Sequence, residues 1–198
     1  MINIDFYTLF KNLLDLRGLN DKKSPAYCLE REECTLNIYF DWSPIFPLIF
    51  YRKAWKALEP RLTSRILNPK TKTIIIAGYS HGGVLAQLCY EHAKRIRPEA
   101  EVIGVSFGSP RLTRGKEFIF VQNGHDFMTY LSPIRSEKIY QIGRPWGLEH
   151  FLASVKKNGL RKAILNFDWI GPLQDHQAWR YEQALFLRFL FYCSRGHR

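Results

Sequence analysis

Gly78-Tyr79-Ser80-His81-Gly82 is the stretch of this sequence best equipped for chemistry. It is a G-x-S-x-G pattern standing between the continuous apolar run Thr73 to Ala77 (TIIIA) and a helical pattern that opens near Gly82. Glycines on either side let a strand turn tightly into a helix, so that the serine between them stands clear of the sheet's C-terminal edge. Backbone amides at the helix start, beginning with that of His81, then face any negative charge that develops there. This is the equipment for attack by Ser80 on a carbonyl carbon, with the His81 N–H as one donor to the oxyanion. A serine hydroxyl is a weak nucleophile alone, and it needs a base and an acid that orients the base.

The elements that must hold such a turn are legible as patterns. Residues 2–16 place Ile2, Phe6, Phe10, Leu13 and Leu14 on one helical stripe, ended near Gly18. Ala26 to Arg31 and Cys34 to Phe40 are strand-like and read as a hairpin around Glu32-Glu33. Tyr51 to Leu67 spaces Trp55, Leu58, Leu62 and Ile66 as a helix, closed by Asn68-Pro69. After the TIIIA strand a helix is expected from Gly82 to Arg97, then strands at Val102 to Phe107, Glu117 to Val121 and Lys138 to Ile142, and a last helix from Gln177 to Tyr192. Strand and helix alternating in this way predict a mostly parallel α/β sheet.

Three segments follow one another in order: Ile74 to Gly83 (IIIAGYSHGG), Ser106-Phe107-Gly108-Ser109-Pro110-Arg111, and Asn123-Gly124-His125-Asp126-Phe127 leading to Leu131-Ser132-Pro133. This series resembles the class 3 lipase family of α/β-hydrolases, whose chains carry a G-x-S-x-G-G elbow, an F-G-x-P-R segment and an aspartate followed by a proline-containing loop. The resemblance covers about residues 26–133. It implies an α/β-hydrolase-like fold in a single domain over 1–198, with helices on both faces of the sheet, and a serine ester hydrolase acting on acylglycerol or phospholipid esters through an acyl-enzyme. It further implies Ser80 as nucleophile, Asp126 as the acid, and a base downstream of both. Asp175-His176-Gln177-Ala178-Trp179-Arg180-Tyr181 resembles the family's histidine segment and marks His176; His150, in Gly147-Leu148-Glu149-His150, is the alternative. His81, His92 and His125 are poorly placed to bridge Ser80 and Asp126.

The resemblance also implies that a second oxyanion donor comes from the loop after an early strand, here Phe40-Asp41-Trp42-Ser43, with the Ser43 hydroxyl available. Where the family often carries R-G-T or similar small residues, this chain has Asp41-Trp42. The apolar stretch Ile45 to Phe50 falls where a lid or acyl-pocket wall is implied, with simple core filling as the equal alternative, and Trp146 and Trp169 flank later loops.

Composition bounds these readings. A chain of 198 residues that is 46% hydrophobic and 15% aromatic buries a full core, which excludes a mainly disordered protein. The longest nearly apolar run, Ala184 to Cys193, contains Arg188 and is too short to span a bilayer, and Met1 to Asp5 lacks the basic start of a secretory signal; a cytoplasmic location is the expectation. The net charge of +11 is spread, with an excess of +4 over residues 1–76, +2 over 77–150 and +5 over 151–198. Lys156 to Lys162 is its one local cluster. Such a balance reads first as a solvated basic face, with peripheral contact with an anionic membrane surface as the alternative and no specific nucleic-acid binding expected, since no motif for it is present. Cys28, Cys34, Cys89 and Cys193 show no metal-binding spacing, so no metal or cofactor is expected and the thiols read as reduced and mostly buried, with Cys28 and Cys34 as facing strand neighbours. The alternative function is a hydrolase-fold protein that has lost catalysis and binds a lipid or other ligand.

Overall fold

β1 (Ala26–Glu32) and β2 (Thr35–Trp42) form an antiparallel hairpin closed by two residues, the first of which, Glu33, has φ 49°. From β2 onward every pairing is parallel: β3 (Thr73–Ser80), β4 (Glu101–Phe107), β5 (Phe118–Asn123) and β6 (Ile139–Ile142) follow in sequence order. The computed structural model describes residues 5–18, 26–42, 49–112, 117–124, 126, 139–142 and 180–186. Among these the sheet has six strands in the order β1-β2-β3-β4-β5-β6. Helices α1 (Phe6–Gly18), α2 (Ile49–Ile66) and α3 (His81–Ile96) are joined by a helical stretch at 180–186.

Side chains that alternate along the strands divide the core in two. On one face Leu36, Ile38, Phe40, Ile74, Ile76 and Val102 pack against Leu58, Leu62 and Ile66 of α2 and Val84, Leu85 and Cys89 of α3. On the other, Tyr39, Ala77, Tyr79, Val105, Phe107 and Val121 meet Leu9, Phe10 and Leu13 of α1, together with Tyr181 and Leu185. The fold is thus the expected α/β-hydrolase-like arrangement, a mostly parallel sheet with helices on both faces. A strand covered on both sides has no polar face to show, which is why β3 begins as TIIIA. Arg97, at the C-terminal cap of α3, ties the helices of the first face together. Its buried guanidinium donates to the carbonyls of Ile66, Asn68 and Thr71, each at 2.9 Å, and so caps the end of α2.

Some expectations shift. β3 runs on to Ser80 and α3 starts at His81, so strand and helix meet with no residue between. Cys28 pairs with Tyr39 in the hairpin register, while Cys34 sits in the turn and is exposed; the two-residue turn prevents them from facing each other. Cys89 is a buried free thiol, and burial raises its pKa. The last helix is seen over 180–186. No helix among the described residues is long and apolar enough to cross a membrane. Residues 45–48, Trp146, Trp169, Cys193 and the cluster Lys156 to Lys162 lie outside the described residues.

Candidate active site

Ser80 joins β3 to α3 with φ 53° and ψ −123°, a conformation that a residue with a Cβ rarely adopts. Such a residue costs about 1–3 kcal/mol and persists only where its surroundings impose it. Here the surroundings are the glycines. A Cβ on Gly78 would lie 2.4 Å from the Gly82 carbonyl oxygen, one on Gly82 would lie 2.4 Å from the Phe40 carbonyl oxygen, and one on Gly83 would lie 2.5 Å from Cβ of Ser109. The first turn of α3 is therefore pressed against β3, the end of β2 and the segment after β4 at once. The Ser80 hydroxyl makes no capping hydrogen bond to the helix it precedes.

His81, the first residue of α3, has a backbone N–H in the turn where helical amides lack an intrahelical acceptor. Its ring is held from α2: Nδ1 hydrogen-bonds the Tyr51 hydroxyl, and the rings stack at 5.6 Å and 30°. Burial pushes the Tyr51 pKa up to about 12, so the phenol stays neutral where it meets the His81 ring. At the other side of the elbow the β2–β3 register sets Trp42 opposite Ser80 and Asp41 opposite Tyr79. Asp41 is 4% exposed, and its Cα is 3.0 Å from where a Gly82 Cβ would stand. Ser43, next along the chain, lies outside the described residues.

Asp126 follows β5 after a turn at Gly124, where φ is 50°, and its N–H donates to the Asn123 carbonyl at 3.0 Å. It is 0% exposed. The Tyr181 hydroxyl donates to Asp126 Oδ2 at 2.6 Å and accepts from the Asn123 N–H at 3.0 Å. Burial first, and then the Asp126 charge, hold the Tyr181 pKa well above the ordinary phenol value, so this oxygen remains a donor. The Tyr181 ring packs edge-on to Tyr79, at 5.8 Å, and beside Phe10, at 5.7 Å. One tyrosine thus touches both the residue before Ser80 and the carboxylate of Asp126. Since β4 lies between β3 and β5, the backbones carrying these two residues are about 10 Å apart.

Tyr181 was visible in the sequence only as the residue five places after His176. Gln87 does not figure in the sequence reading, although it holds Ser109, Pro110 and Leu112 at the end of the Ser106 to Arg111 motif. Buried in α3, its Nε2 donates to Gly83 O at 3.1 Å, Ser109 Oγ at 3.3 Å and Pro110 O at 2.8 Å, while Oε1 accepts from Leu112 N at 2.6 Å. The segment after β4, turned by Gly108 with φ 54°, is thereby clamped to the elbow helix. A glutamine on an otherwise apolar helix face is the signal that would have found it.

His92 lies within α3, hydrogen-bonded to Thr63, and is remote from the elbow in sequence and contacts, as expected. His176, His150 and His125 lie outside the described residues. Among the described residues no group of three or more His, Cys, Asp or Glu side chains could hold a metal ion.

No protein-family model matches the chain. No curated protein matches it either. Among solved structures it is similar to the triacylglyceride lipase of Rhizomucor miehei, with 16% identity and a TM-score of 0.48 over 60% of this chain and 62% of that one. It is also similar to a triacylglycerol lipase whose catalytic centre is a serine protease triad, with 13% identity and a TM-score of 0.44 over 55% and 56% of the two chains. A triacylglycerol lipase from Penicillium expansum overlaps at 12% identity and a TM-score of 0.39, over 71% and 81%. The chain thus spans less than two thirds of the first two lipases, and the case for Ser80 and Asp126 rests on its own residues.

Proposed function

We propose that the chain is a serine ester hydrolase in which Ser80 is the nucleophile, His176 the base and Asp126 the acid that orients it. The observation that carries this reading is the backbone of Ser80, a non-glycine residue held at φ 53° between a buried parallel strand and a helix by three glycines that tolerate no Cβ. Strain of this kind is kept where it presents a side chain for a task. Asp126, buried and hydrogen-bonded two strands away, supports the reading, because an imidazole with a hydrogen bond on each side fills the gap between two such residues. Tyr181 supports His176 over His150, since its hydroxyl ties a residue five places after His176 to the acid.

In the proposed mechanism His176 takes the Ser80 proton as Oγ attacks the ester carbonyl. The oxyanion accepts from the His81 N–H and from the segment after β2, where Ser43 is the candidate donor. His176 returns the proton to the departing alcohol, and water, activated by the same imidazole, hydrolyses the acyl-enzyme. The favoured substrates are acylglycerol or phospholipid esters, with no cofactor.

A second reading has its own observation. Asp41 is buried, with its Cα against the elbow helix, where the resemblance implies small residues that leave room for the oxyanion. That favours a hydrolase-fold module that binds a lipid or other ligand without turning it over.

Intact mass after treatment with a fluorophosphonate separates the two, because such probes phosphonylate only an activated serine, with fluoride as the leaving group. A single adduct on the wild type, absent from Ser80→Ala and His176→Ala and kept in His150→Ala, is the expected result. An unlabelled but folded wild type leaves the binding module.

A further inference from the structure

Part of the cationic excess lies on the outer face of α2. Tyr51, Leu58, Leu62 and Ile66 are buried there, and the eight exposed residues described on this helix are Arg52, Lys53, Lys56, Ala57, Pro60, Arg61, Ser64 and Arg65. Five are cationic and none is acidic. Spacing of four residues sets them in two adjacent rows along a helix about 27 Å long. Glu59, the helix's one carboxylate, is turned inward, 3.1 Å from His92 Nδ1 and 3.6 Å from Arg95. Arg52 and Lys56, like Arg61 and Arg65, are like-charge pairs four apart, which weaken a helix. A solvated face kept for stability alternates its signs, and this one does not.

We infer that the outer face of α2 is the surface by which the protein docks on an anionic phospholipid bilayer, an inference that rests on the reading of Ser80 as a nucleophile toward lipid esters. Two observations favour a bilayer over a nucleic acid. None of the eight described exposed residues of α2 is aromatic and none is Asn or Gln, so this part of the face carries charge without the groups that stack on bases or read their edges. The first of the eight, Arg52, also adjoins Tyr51, whose hydroxyl holds His81 beside the nucleophile. Docking along α2 therefore brings the headgroup layer to the edge of the candidate active site.

The test is co-sedimentation of the full chain with vesicles of phosphatidylcholine alone and of equal parts phosphatidylcholine and phosphatidylglycerol. The wild type is expected to bind the anionic vesicles, to be released by raised salt, and to ignore the neutral ones. Each cation removed should weaken partitioning about five-fold, so the triple variant Arg52→Gln, Lys56→Gln, Arg61→Gln should partition about 100-fold less. The same variant should hydrolyse a water-soluble short-chain ester as the wild type does, which shows that it is folded. Equal binding by the triple variant, equal binding to neutral vesicles, or tighter binding of an RNA oligonucleotide at the same salt would each overturn the inference. Binding needs no turnover, so a catalytically silent wild type that docks through these residues upholds the surface while removing the hydrolase reading.

Discussion

At the scale of single residues, Ser80 and Tyr181 are the two positions where structure and the proposed function meet. The strained backbone of Ser80 is a cost to folding, so Ser80→Gly should raise stability by about 1 kcal/mol, because glycine adopts positive φ without the Cβ clash. A higher thermal midpoint together with lost labelling by a fluorophosphonate is the expected outcome; a lower midpoint would mean that the elbow is not strained. Tyr181→Phe keeps the ring against Tyr79 and Phe10 but removes one hydrogen bond to Asp126 and one from the Asn123 N–H. A buried charged acceptor left short costs about 2 kcal/mol. Turnover of a soluble ester should fall at least ten-fold in kcat with KM little changed; a KM effect alone would remove Tyr181 from the support of Asp126.

At the scale of elements, α2 and α3 meet through a polar contact as well as the apolar one. Thr63 Oγ1 donates to the Glu59 carbonyl at 2.7 Å and lies 2.8 Å from His92 Nε2, while Nδ1 lies 2.9 Å from Arg95 Nη2 and 3.1 Å from Glu59 Oε1. Burial is the largest cause lowering the His92 pKa, Arg95 adds to it, and Glu59 opposes both. A histidine whose folded pKa is lowered binds protons more readily when unfolded. Its contribution is therefore complete above the ordinary value of 6.5 and is lost as pH falls through the lower folded value. His92→Gln, which stays neutral, should flatten the fall of thermal midpoint as pH drops below 6.5; an unchanged slope would show that His92 is not its source. The presence and order of these helices and of the strands were legible from apolar spacing, while boundaries shifted by one to three residues, as where β3 runs on to Ser80. Their polar joints were not, because Arg97 reaches Ile66 and His92 reaches Thr63 across distances in sequence that no periodicity encodes.

At the scale of the molecule, the site is held between two cores, and the second sets Tyr181. Phe10 of α1 is fully buried against Phe107 at 4.9 Å, Tyr79 at 5.6 Å and Tyr181 at 5.7 Å. Phe10→Ala should cost about 3–5 kcal/mol and depress ester turnover more than an equally destabilising change in the first core, such as Leu62→Ala. Equal losses in the two variants would show that α1 supports the fold without supporting the site. The sequence by itself determined the parallel sheet, the elbow and the candidate nucleophile, since each is written in contiguous residues: an apolar run, a glycine spacing, a helical stripe. It also carried Asp126 through an ordered series of motifs. Only the tertiary structure decided that Tyr181 bonds Asp126, that Gln87 clamps the segment after β4, that Asp41 is buried beside the elbow and that the charge of α2 lies on one face. These depend on which side chains folding buries and brings together, and burial and long-range contact are properties of the packed chain.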